Sequence, residues 1–212
     1  MGKNYSRNQK RELRNANDQY QTPYCLTRTF IEARVKGNWP KGVEIADFCC
    51  GQGAIQKVLK EYGYGTNLSF DIALNERDDF FKFFYTWKVI PPGNNIIEYG
   101  IMNPPFRYFN TWVRKCFTVF NKSFALLAPT TYLQGVKRYN AEGTGIFQHP
   151  EWVLSEIYTF NRYPMLEKEL RPDSKINTGM QCLSWFVWTR GLPSSTTIHK
   201  WLDIDSYVVR AK

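Results

Sequence analysis

The sequence predicts an α/β domain with a doubly wound, mainly parallel sheet of the Rossmann-like kind. Three observations carry this. Short apolar runs alternate with segments of helical periodicity, which is the signature of strands joined by crossover helices. The first run passes into a turn holding Gly51 and Gly53, and a helical segment follows at once. The second run ends on an acid, Asp71, and a later one ends on the rigid quartet Asn103-Pro104-Pro105-Phe106.

The elements follow in chain order. Residues 1–19 read as a basic arm, with Lys3, Arg7, Lys10, Arg11 and Arg14 against Glu12 and Asp18. Residues 24–36 place Leu26, Phe30, Ile31 and Ala33 at helical spacing. A turn with Pro40 spans 37–42, and 43–48 reads as a buried strand. A helix over 54–62 and a strand over 66–72 come next, then a short aromatic helix over 79–87 and a break at Pro91-Pro92-Gly93. Residues 96–102 form a strand, 108–120 an amphipathic helix, and 123–128 another strand. Residues 133–150 are a polar, glycine-containing loop with room for a short helix. The runs 152–160 and 181–189 are strand-like, joined by a charged connection over 163–180. No linker divides residues 20–212, so they are expected to form a single domain with no separate recognition domain.

Composition narrows the function classes. Apolar residues make up 43% of the 212, which suits a folded core. No uncharged apolar run is long enough to cross a bilayer, so no membrane partner is expected and a cytoplasmic location is. Lys and Arg outnumber Asp and Glu by 28 to 19, a net charge of +9 that attracts polyanions. The five cysteines are odd in number, with Cys49 and Cys50 adjacent, which points to a reducing compartment. With no C-x-x-C pair and only His149 and His199, no metal site is expected.

The turn Asp47-Phe48-Cys49-Cys50-Gly51-Gln52-Gly53 sits where an open α/β sheet binds ligands, beyond a strand's carboxyl end. Its glycines allow close approach to the backbone. Gln56 stands where a dinucleotide fingerprint has its third glycine, and no Gly-Lys-Ser/Thr follows, so neither that fingerprint nor a P-loop is present. Asp71 can accept two hydrogen bonds from a ribose diol.

Asn103-Pro104-Pro105-Phe106 is the most specific feature. An aromatic exocyclic amine is a weak nucleophile because its lone pair is delocalised into the ring. Two acceptors aimed at its N–H bonds would draw it towards a tetrahedral geometry and stabilise the charge that develops. The Asn103 side-chain oxygen and the Pro104 carbonyl suit these roles. Pro105 holds Pro104 extended, neither proline has an N–H, and Phe106 offers a face for an extruded base.

These residues resemble the S-adenosylmethionine-dependent N6-adenine methyltransferases, especially small phage-type DNA enzymes, over residues 20–190. The order is the same: Gln21-Thr22-Pro23, the glycine turn, the acidic strand end, then the diproline turn. The resemblance implies a class I methyltransferase fold and S-adenosyl-L-methionine as cofactor. It implies that Thr22 and Asp47 lie by the cofactor's methionine part, that Gly51 and Gly53 line its sulfonium region, and that Pro23, Cys49 and Ile72 are also cofactor-binding. Asp71 would hold the ribose, and Asp79 and Phe80 would meet the cofactor's adenine. Asn103, Pro104, Pro105 and Phe106 would be catalytic. Asn161-Arg162-Tyr163-Pro164 and Trp185-Phe186-Val187-Trp188 are similar to the end of such domains.

The implied partner is nucleic acid, DNA favoured over RNA, in a host cytoplasm if the chain is phage-encoded. Recognition would fall to the loops or to a partner protein. Lys137, Arg138, Lys168, Arg171 and Lys175 are candidate phosphate contacts. Three other functions share much of this pattern: an RNA adenine methyltransferase, a protein glutamine N-methyltransferase, and a non-catalytic binding subunit of the same fold. Intact Gly51, Gly53, Asp71 and Asn103 argue against the last.

Overall fold

A computed structural model describes residues 21–71, 97–139, 145–162, 182–192 and 196–207. The first helix, α1 (Tyr24–Phe30), starts directly after Pro23, whose extended backbone sets the entry. It continues as a wider π-turn over Ile31–Val35, closed by Lys36 N–H donating to the Ile31 carbonyl at 2.8 Å. Strand β1 (Ile45–Ala46) leads into the glycine turn and then α2 (Ala54–Glu61). Strand β2 (Ile97–Met102) runs to Asn103. Next come a helical turn over Phe106–Tyr108, α3 (Phe109–Val119) and β3 (Phe120–Pro129). A turn over Thr130–Leu133 and the short α4 (Val136–Tyr139) precede β4 (Trp152–Phe160), β5 (Leu183–Arg190) and β6 (Ile198–Leu202).

The strands lie in the order β1-β2-β3-β5-β4-β6. Pairs β1–β2, β2–β3 and β4–β6 are parallel, and β5 runs against both of its neighbours. The sheet is therefore mainly parallel, as the sequence predicts. Beyond the other side of β1, Glu44 bridges Gly65 and Asp47 bridges Ser69, again in parallel. The chain thus passes from β1 to a neighbour on one side and later returns to β2 on the other. That reversal at β1 is the switch point at which such sheets bind ligands.

Alternation along the central strands builds both faces. In β3, Ala125 and Leu127 join the cluster under α1 and α2, while Phe124, Leu126 and Ala128 join the one under α3. In β5, Trp185 and Val187 face the first cluster, and Phe186 and Trp188 the second. Strands buried on both faces read as continuous apolar runs, which is why β3 and β5 are plain in the sequence. Helix α2 puts Ile55, Val58 and Leu59 on the first cluster, and α3 puts Phe109, Trp112, Val113 and Cys116 on the second. The Phe124 and Trp188 rings stack at 5.4 Å between centroids, a contact worth about 0.5–1.5 kcal/mol beyond burial.

Two differences from expectation have physical causes. Of the expected strand over 66–72, the described residues 66–71 are not a regular strand, because Asn67 turns its N–H and side-chain amide to the Glu44 carboxylate, at 2.9 and 2.8 Å. This leaves one extra residue between the two bridges to β1. Strand β6 has no counterpart in the sequence reading. It is an edge strand whose first four residues are exposed, so it lacks the apolar alternation that marks a strand. The expected aromatic helix over 79–87, the basic arm over 1–19 and the connection over 163–180 lie outside the described residues. No helix among the described residues is long and apolar enough to cross a membrane.

Candidate active site

The glycine turn is folded by Asp47. Its Oδ1 accepts the Cys49 N–H at 2.9 Å, and its Oδ2 accepts the Gln56 side-chain amide at 3.2 Å. Gln56, in the place of a third glycine, therefore reaches back from α2 to the strand end. Asp47 is fully buried, and that burial pushes its carboxyl up to about 8, with the nearby Asp71 carboxylate adding to the effect. Gly51 and Gly53 take φ of +51° and +82°, left-handed conformations in which a side chain would be strained. Gly53 then opens α2, accepting the Lys57 N–H at 2.9 Å.

Burial keeps the two cysteines of the turn in their thiol form. Cys49 packs against the core, and burial pushes its thiol well above the ordinary range. Cys50 is pushed up to about 12, first by burial and then by the Asp47 and Asp71 carboxylates. The Asp71 Oδ2 accepts the Gly51 N–H at 2.6 Å, which ties the end of the neighbouring segment to the turn.

Asn103 is the first residue after β2, the strand beside β1. Its side-chain amide Nδ2 donates to the Thr22 hydroxyl at 3.1 Å. Thr22 itself is buried, in the segment leading into α1. Gln21, one residue earlier, lies over the turn: a Cβ built on Gly51 would stand 2.9 Å from the Gln21 Nε2. Three pieces of chain far apart in sequence, 21–23, 47–53 with 71, and 103–106, thus meet at the carboxyl ends of β1 and β2. With the Asn103 donor turned to Thr22, the amide's opposite end is its acceptor oxygen.

The diproline turn is held by its neighbours. Pro104 is buried, and the Pro105 carbonyl accepts the Tyr108 N–H at 3.0 Å. Among backbone hydrogen bonds of the described residues, none runs to the Pro104 carbonyl. Phe106 is half-buried and meets the edge of the Tyr132 ring at 6.5 Å. The Tyr132 hydroxyl donates to the Phe106 carbonyl at 3.1 Å.

Of the sequence-predicted residues, Thr22, Gly51, Asp71 and Asn103 converge, with Pro23, Gly53, Pro104, Pro105 and Phe106 adjoining them in the chain. Asp47 and Cys49 stand at the turn with their side chains turned into the protein. Lys137 is exposed on α4, whereas Arg138 is drawn inward. Ile72, Asp79, Phe80, Lys168, Arg171 and Lys175 lie outside the described residues. Gln21, Gln56 and Tyr132 were missed as site residues. Gln56 did carry a signal, as an odd residue in a glycine's place.

No protein-family model and no curated protein sequence matches the chain. Among solved structures, the methyltransferase subunit of a type I restriction-modification system from Streptococcus thermophilus matches 91% of this chain. The TM-score is 0.52 at 12% identity. The fold is that of a class I methyltransferase. The chain spans about half of that subunit, 49% of its length. A predicted O-methyltransferase from Agrobacterium tumefaciens matches at TM-score 0.46 and 13% identity, over 86% of each chain. Open sheets of this kind bind ligands over the switch point, and the glycine turn lies there, with Asn103 at the end of the adjacent strand.

The residues at that place suit S-adenosylmethionine. The Gly51 and Gly53 backbone has no Cβ to hold a ligand off, and a carboxylate, Asp71, stands at the neighbouring segment's end.

Proposed function

We propose that this protein methylates the exocyclic N6 amine of adenine in nucleic acid, with DNA the favoured substrate. The observation that carries the reading is the meeting of Asn103 with Thr22 beside the Gly51–Asp71 turn. It sets an amide acceptor on a rigid corner next to a backbone suited to the cofactor. S-adenosylmethionine, when bound, supplies an electrophilic methyl group. Gly51, Gly53 and Asp71 would hold it, with Asp47 beneath the turn. The Asn103 oxygen and the Pro104 carbonyl would accept the two N–H bonds of the amine and stabilise its charge as the methyl arrives. Asn103 has no basic site, so the proton leaves to water. Phe106 would stack on the extruded base, a contact worth about 1–3 kcal/mol.

An amine acceptor is favoured over a hydroxyl because Asn103, whose amide nitrogen donates to Thr22, is a neutral amide with an acceptor oxygen and no basic site. A hydroxyl nucleophile would need a base, and the quartet offers none. The Thr-Pro segment ahead of the glycine turn supports DNA over RNA, and the restriction-modification subunit of the same fold fits that direction by its name.

The test is transfer of labelled methyl to matched DNA and RNA, with the products digested to nucleosides. The expected product is N6-methyladenine, formed faster on DNA. Asn103→Ala is expected to lower the rate at least 100-fold, the usual effect of removing one such stabilising group, while cofactor binding by calorimetry stays intact. Label recovered only in protein, or a variant of normal activity, would refute the reading.

A further inference from the structure

From Tyr99 to Ala141 the chain carries Arg107, Arg114, Lys115, Lys122, Lys137 and Arg138 and no acid. The structure sorts three of these. Lys122 is paired with Glu98 at 2.7 Å. Arg107 lies over the Tyr108 ring at 4.4 Å, on the helical turn that continues the diproline corner. Lys137 is exposed on α4.

Arg138 is built in. Its Nε donates to the Asn110 side-chain oxygen at 3.0 Å and its NH1 group to the Gln134 carbonyl at 2.6 Å. Its guanidinium covers the Tyr132 ring at 4.2 Å. Tyr132 in turn holds the Phe106 carbonyl and packs edge-on against Phe109 at 5.3 Å. One cation thus locks the turn over Thr130–Leu133 and helix α4 against the corner that carries Asn103. On the outer side of these turns Tyr108, Val136 and Tyr139 are 37%, 82% and 61% exposed. Exposed rings set between cations suit a strand whose bases stack and whose phosphates carry charge.

We infer that these two turns are the docking face for a nucleic-acid strand, with Arg107 and Lys137 against phosphates and Tyr108 and Tyr139 against bases. Arg138 is the strut that fixes this face, a positioning residue and not a phosphate contact. Its Nε donates to Asn110, one NH1 donor goes to Gln134, and its flat side lies on Tyr132, so the guanidinium is held against the corner and not out over the face. The inference rests on the nucleic-acid substrate proposed above.

The test is fluorescence anisotropy of a labelled, adenine-containing single strand with the full chain at a series of salt concentrations. Arg107→Gln and Lys137→Gln should each reduce the slope of log affinity against log salt by about 0.7, one phosphate's share. Tyr139→Ala should weaken binding on the order of tenfold and leave the slope unchanged. Arg138→Gln should keep the slope and lower kcat with little change in strand affinity. Tyr132→Phe, which removes one hydroxyl, should reproduce the kcat loss without unfolding.

A slope lowered at Arg138→Gln, slopes unchanged at both Arg107→Gln and Lys137→Gln, or a wild-type chain that binds an acidic polypeptide and no strand would overturn the docking face. Strand binding that follows these variants while methyl transfer goes to a different acceptor would overturn the reaction and leave the face standing.

Discussion

Asp47→Asn should make folding stability less dependent on pH. The folded state holds the Asp47 carboxyl at about 8 against an ordinary 3.8, so it keeps the proton that the unfolded chain releases. For a carboxyl raised in this way, its share of stability is complete below pH 3.8 and declines as pH rises to about 8. At 1.36 kcal/mol per pH unit, the decline by pH 7 is at most about 4 kcal/mol. Relaxation around a buried charge brings the measurable part to about 2 kcal/mol. An asparagine there is always neutral. Its oxygen can keep the Cys49 N–H, and its amide can donate to the Gln56 Oε1, a buried oxygen without a hydrogen bond among the described residues of the wild-type protein, once the Gln56 amide turns over. Urea unfolding of both proteins at pH 5, 6, 7 and 8 gives the stability difference at each pH, in which other titrating groups cancel. The variant should gain on the wild type steadily from pH 5 to pH 8. A difference constant to within about 0.5 kcal/mol across that range would refute the placement of Asp47 as a neutral, buried group.

Two backbone positions give further predictions. Gly100→Ala should destabilise the fold by about 1–3 kcal/mol, because a Cβ on this β2 residue would run into the buried Phe120 ring; chemical denaturation measures it. Gly51→Ala should cost only about 1 kcal/mol, the strain of a left-handed alanine, since the obstructing Gln21 amide is the end of a flexible side chain. The same variant should weaken S-adenosylmethionine binding more than tenfold in calorimetry, because the new methyl stands on the face the cofactor must approach.

The parts of this fold that were legible in the sequence are those where one physical demand acts alone. Strands β3 and β5 are buried on both faces over 124–129 and 185–188, so these stretches are continuously apolar and announce themselves. The glycine turn and the diproline corner need backbone conformations that few residues supply, and their residue types name them. What the sequence hides depends on partners far along the chain. Nothing local to Asn67 says that Glu44 will take its N–H and spoil a strand. Tyr132 reads as a loop aromatic until the Phe106 carbonyl is found beneath its hydroxyl. Arg138 and Lys137 are adjacent cations of equal charge, and only folding turns one inward and the other out.

The protonated Asp47 also bears on the proposed cofactor. The resemblance assigns this residue to the methionine end of S-adenosylmethionine, which carries an ammonium and a sulfonium. A cation bound at the turn stabilises the carboxylate form and draws its pKa back down. With a value of about 8 in the free protein, Asp47 is roughly nine-tenths protonated at pH 7 and about one-tenth protonated at pH 9. Binding should therefore release a proton at pH 7 and almost none at pH 9. Calorimetry in buffers of different ionisation enthalpy counts that proton directly, and titrating Asp47→Asn alongside subtracts the cofactor's own amine. The wild type should release up to about 0.9 proton more than the variant at pH 7, and the excess should vanish at pH 9. Equal release by the two proteins at pH 7, with binding intact in both, would mean that Asp47 serves only to fold the turn and never meets the cofactor's charge.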